Sequence, residues 1–73
     1  LVAGMDVEVV VGMRNAPGLP MPKVSLLRSC GNHELDEAAL RMISEAVHLA
    51  PLPAELRGRH WQIELPVLFV SGV

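Results

Sequence analysis

Trp61-Gln62-Ile63-Glu64-Leu65-Pro66-Val67-Leu68-Phe69-Val70 is the stretch that decides the fold. Trp61, Ile63, Leu65, Val67 and Phe69 form an unbroken apolar face, set against Gln62, Glu64, Pro66, Leu68 and Val70. A period of two over such a run is the signature of a strand. Pro66 in its middle has no N–H, which confines it to an edge strand, a strand start or a bulge. If Pro66 faces outward, the backbone groups of Gln62, Glu64 and Leu68 face outward with it, and the odd residues bond the neighbouring strand. An exposed row of that kind is a template for another chain, and a proline is equally a device that blunts it. Both readings stay open on these residues alone.

Upstream, the period changes. From His33 to Ala50, residues Leu35, Ala39, Met42, Ile43, Ala46, Val47 and Ala50 recur every three or four positions and make one helical stripe. Asn32 is a natural N-cap. Glu34, Asp36 and Glu37 belong to the first turn, where the positive end of the helix dipole stabilises them. Pro51 and Pro53 close the helix from outside, and Leu52 to Arg59 reads as a loop.

Two shorter strands precede the helix. Between Met5 and Met13, Val7, Val9, Val11 and Met13 alternate with Asp6, Glu8, Val10 and Gly12, and the valines suit a pleated surface. Arg14 to Pro22 holds three prolines and a glycine, so neither helix nor central strand continues through it. Lys23 to Arg28 is the second strand, with Val24 and Leu26 on one face and Ser25 and Leu27 on the other. Ser29-Cys30-Gly31-Asn32 breaks it. The order strand, strand, helix, strand predicts an α+β layer with one helix on a three-stranded sheet. A loop joins the first two strands, so they pair antiparallel. A third strand parallel to the second would require cover on both faces. One helix covers one face, so the expected order is second, first, third, all antiparallel.

Composition narrows the function. The chain has 73 residues, six of them basic and eight acidic, for a net charge of −2. That length fits one domain over residues 1–73, and a domain this small buries only roughly 60% of its unfolded surface. The basic residues are scattered and the only aromatics are Trp61 and Phe69, which excludes a nucleic-acid footprint. No apolar run approaches the ~18 residues of a membrane span. The chain starts at Leu1 without an initiator methionine, so it is expected to be a piece of a longer protein. Cys30 has no second cysteine to pair with. Cys30-x-x-His33, with His48 and His60 elsewhere, lacks the characteristic ligand spacing of a zinc site, and there is no second cysteine pair. No residue is in place to orient a Cys30–His33 nucleophile pair. Neither a metal, another cofactor nor an enzyme activity is therefore expected. Arg57-Gly58-Arg59-His60 is the one basic cluster. It reads as a solvated loop, or as a device by which Arg57 or Arg59 steers acidic residues beside a bound peptide.

Several runs together resemble the TonB C-terminal domain family: Gly4-x-x-Val7-x-Val9-x-Val11, Ser29-Cys30-Gly31-Asn32, Leu35-Asp36-x-Ala38-Ala39-Leu40, Pro51-x-Pro53 and Ile63-x-Leu65-Pro66-Val67-x-Phe69. The match follows the family's order over nearly the whole chain and is most specific from Ser29 to Leu40. The family's second serine is Cys30 here, its compact Asp/Gly turn is proline-rich, and its Tyr-Pro pair before the first strand is missing from this chain. The resemblance implies a periplasmic domain, anchored to the inner membrane by a segment not in this chain. Such a domain captures the TonB box of outer-membrane transporters by adding it to the final strand. It transmits proton-motive force from an inner-membrane motor complex for uptake of siderophores, haem or similar cargo. On that reading Trp61, Gln62, Ile63, Glu64, Leu65, Pro66 and Leu68 line the peptide, with Arg57 and Arg59 steering it. The alternative is a cell-envelope module that forms a homodimer through the same edge. Either way Val10, Leu27, Leu68 and Val70 are expected on the sheet face opposite the helix, leaving that face half apolar.

Overall fold

A computed structural model describes residues 6–50 and 52–70. It contains β1 (Val7–Asn15), β2 (Lys23–Arg28), α1 (His33–Leu49), a single 3-10 turn (Ala54–Leu56) and β3 (Trp61–Phe69). The sheet is antiparallel throughout, in the order β2-β1-β3. The α+β architecture, strand order and edge position of β3 are those the sequence predicts.

Alternation along β1 sorts its side chains. Val9 and Val11 are fully buried and form a core with Val67 of β3 and Ala39 of α1. Val24, Leu40, Ile43 and Phe69 pack around it. The helix contacts β1 and β2, so the β3 side of that face is less covered. Ile63, 41% exposed, shows the effect directly.

Helix α1 begins where Asn32 directs it. The Asn32 side chain accepts from the N–H groups of Glu34 at 3.0 Å and Leu35 at 3.3 Å, two of the donors a helix start leaves without partners. Gly31 supplies the turn before it with φ +89°, a conformation glycine adopts without steric penalty. The helix ends at Leu49, and Ala50 is already extended, with φ −112° and ψ 100°. A residue preceding a proline is restricted in that direction.

Besides the helix end at Leu49 and the 3-10 turn Ala54–Leu56 within the expected loop, four details differ from the sequence reading. β1 runs to Asn15 rather than stopping at Met13, because Arg14 and Asn15 still pair with Gln62 and Trp61; Met5 lies outside the described residues. β3 stops at Phe69, not Val70. The inward stripe of α1 is rotated: Asp36 and Ala39 are buried, whereas Met42, Ala46 and Ala50 are exposed. The cause is the position of α1 over β1 and β2, which takes Leu40 inward. Finally, the β1–β2 register shifts between Val10, opposite Arg28, and Val11, opposite Leu26. Leu27 is the extra residue of a β-bulge. Its side chain lies over Gly12, so close that a Cβ on Gly12 would stand 2.9 Å from Leu27 Cγ.

Candidate functional site

β3 is a nine-residue edge strand whose one neighbour among the described residues is β1. The other edge, β2, has six residues and carries the bulge. A bulge bends and twists a strand and disrupts its ladder, which makes it poor for pairing. β3 pairs in unbroken register with β1 from Val7–Phe69 to Asn15–Trp61. The longer, more regular open edge is therefore β3.

Pro66 stands opposite Val10. Opposed residues in an antiparallel pair alternate between positions that exchange both backbone bonds and positions that exchange none. A proline fits the second kind, where its missing N–H would have pointed away from β1. By the same alternation Gln62, Glu64 and Leu68 direct N–H and C=O groups to the open side. Gln62, Glu64, Pro66 and Leu68 are all exposed, Leu68 by 56%. On the helix side, Ile63 is exposed and Leu65 half-buried, making an apolar shelf along the edge.

The ends of the site are held by polar contacts. Trp61 is half-buried, and its indole N–H donates to the Leu56 carbonyl at 3.0 Å. Its polar tip is thus turned toward its own connecting loop. Opposite it, Asn15 is 4% exposed and donates through Nδ2 to the carbonyls of Arg59 at 2.9 Å and Leu56 at 3.4 Å. These bonds fix the loop that leads into β3. Asn15→Ala leaves both carbonyls without this donor and is expected to cost about 1–2 kcal/mol. Urea unfolding of the two proteins measures it; an unchanged midpoint would mean the loop does not depend on Asn15.

Arg57 and Arg59 are both exposed in that loop. Arg57 donates from Nε to the Leu52 carbonyl at 2.9 Å. Its guanidinium is held by the loop rather than by the strand. Arg57 and Arg59 both precede the edge strand in the chain, but the two arginines differ in freedom.

At the other end of the sheet, Asp36 organises the turn between β2 and α1. Its carboxylate accepts from the Ser29 hydroxyl and, at 3.0 Å, from the Cys30 N–H. The Ser29 hydroxyl lowers the Asp36 pKa from its ordinary value of 3.8, aided by the Cys30 N–H and opposed by burial. A carboxyl depressed in the folded state stabilises the protein fully above its unfolded value. The contribution is lost as pH falls through the folded value. The stability difference between wild type and Asp36→Asn is thus expected to be full above about pH 4 and to shrink below it. Denaturant midpoints measured from pH 7 to pH 2 test this; a difference independent of pH refutes it. Sequence reading placed Asp36 at the helix dipole and missed the bond partners, which the turn brings six and seven residues back.

Cys30 packs against the core and its thiol lies 3.7 Å from the Asn32 carbonyl. His33 lies 3.7 Å from Glu37 on the exposed side of α1. Among the described residues, no three of His, Cys, Asp and Glu come together as a metal-binding group. Nor is any described helix long and apolar enough to cross a membrane. Comparisons with protein-family models, curated proteins and solved structures give no match for this chain.

Proposed function

We propose that this chain is a peptide-capture domain of the TonB C-terminal type, a binding module rather than an enzyme. The observation that carries the reading is the open edge of β3, long and in regular register, with Pro66 opposite Val10. An extended segment of an outer-membrane transporter, its TonB box, adds beside β3 through backbone hydrogen bonds. Alternate side chains of that segment rest on the shelf of Ile63 and Leu65, while Glu64 and Gln62 meet the intervening ones. Arg59, exposed in the loop just before the strand, attracts acidic residues flanking the segment. In this reading the domain works in the periplasm. A part of the protein outside this chain ties it to the inner membrane and its proton-driven motor, and the captured transporter is worked for uptake of siderophores, haem or similar cargo.

A second copy competes for the same edge. Leu68, 56% exposed on the face away from α1, and Val70, 69% exposed just beyond the strand, favour that reading by offering apolar surface there. Titrating TonB-box peptides into labelled protein while recording amide shifts separates the two. Saturable shifts centred on Trp61–Phe69 are expected. Broadening of those resonances with protein concentration alone supports the dimer, and an edge that responds to neither sinks both.

A further inference from the structure

The loop after β1, the C-terminal half of α1 and the loop before β3 meet at one end of the sheet. Between them lies a cleft of about 390 Å³, within the size range of small-ligand sites. Its apolar lining includes Leu19, Met21, Val47 and Leu52, and its polar lining is Asn15 and Arg57. Arg57 is anchored beside the cleft by its Nε bond to Leu52, and its two Nη groups have no partner among the described residues. Asn15, a buried side chain, uses Nδ2 on the Leu56 and Arg59 carbonyls. Its Oδ1 accepts no bond from the described residues, yet it is not a sealed, unsatisfied atom.

An apolar pocket whose polar lining is one guanidinium and one amide side chain suits a ligand with matching groups. The ligand needs an aliphatic body, an anionic head and an N–H donor. We propose that the cleft binds the C-terminal residue of a peptide, with an aliphatic side chain such as that of leucine. The side chain lies among Leu19, Met21, Val47 and Leu52, the carboxylate pairs with the Arg57 Nη groups, and the residue's N–H donates to Asn15 Oδ1. A guanidinium suits a carboxylate because it offers paired, parallel donors. This site is separate from the β3 edge and stands or falls without it.

N-acetyl-leucine is the probe, titrated into the labelled 73-residue chain. A ligand of that size is expected to saturate at roughly 1–10 mM. Shifts are expected at Leu19, Met21, Val47 and Arg57, with Trp61–Phe69 little affected. N-acetyl-leucine amide, which lacks the charge, and the Arg57→Gln protein are each expected to bind about tenfold more weakly. Hexanoate, which has the charge but no N–H, is expected to bind several-fold more weakly. Equal binding of the amide overturns the Arg57 pairing. Hexanoate binding as tightly as N-acetyl-leucine overturns the peptide assignment in favour of a free aliphatic acid. No saturation by about 50 mM, well above that range, or shifts confined to β3, overturns the site.

Discussion

Glu64→Pro is expected to weaken peptide capture about tenfold, whereas Glu64→Ala changes it less than about threefold. The asymmetry follows from the backbone. Glu64 is two residues from Pro66 and, by alternation, directs its N–H to the open side of β3. Alanine keeps that donor and removes an exposed carboxylate that forms no ion pair among the described residues. Proline removes the donor and leaves one carbonyl of the incoming chain without its partner. An outward-facing position on an edge strand is also where proline is tolerated, so the fold is expected to survive the change. Peptide affinity by calorimetry, with thermal unfolding alongside, checks both halves. Equal losses for the two variants would mean that side chains rather than backbone hold the peptide.

Val11→Ala is expected to destabilise the protein by about 2–3 kcal/mol. Val11 is fully buried and paired with Leu65 on one side and Leu26 on the other. Among the described residues the buried apolar core is Val9, Val11, Ala39 and Val67, so few buried neighbours there can close the space left behind. With marginal stability typical of small domains, such a loss removes a large fraction of the total. Chemical denaturation at pH 7 measures it. A change below about 0.5 kcal/mol would mean that the core relaxes freely around position 11.

The order of elements was legible because three signals agreed: valines at every second position in β1, a change of period at His33 behind Asn32, and Pro66 in an otherwise regular strand. These are local patterns, and local patterns set element type. What escaped the sequence depends on distance or phase. Asn15 looked like part of a polar loop because its partners, Leu56 and Arg59, lie more than forty residues away. The inward face of α1 is rotated because its seat over β1 and β2, invisible in the helix's own period, decides which residues point down. The bulge left one trace, the adjacent Leu26 and Leu27, but a paired leucine step does not say which residue is extra. The candidate edge was readable from Pro66. The regularity that makes it the better of two edges was not, since that depends on the flaw in β2.

That flaw has a consequence in symmetry. A sheet with two equivalent edges can pair head to tail, one molecule's first edge against the next molecule's last, and such a contact grows into an open filament unless its rotation closes a ring. Here Leu27 spoils β2 as a pairing surface, which leaves β3 as the one regular open edge among the described residues. Association through backbone bonds can then join two β3 strands about a twofold axis, or one β3 strand and a foreign segment, and in both cases it terminates. The extra residue opposite Val10 thus acts as a stop against fibre growth while the far edge of the same sheet stays open.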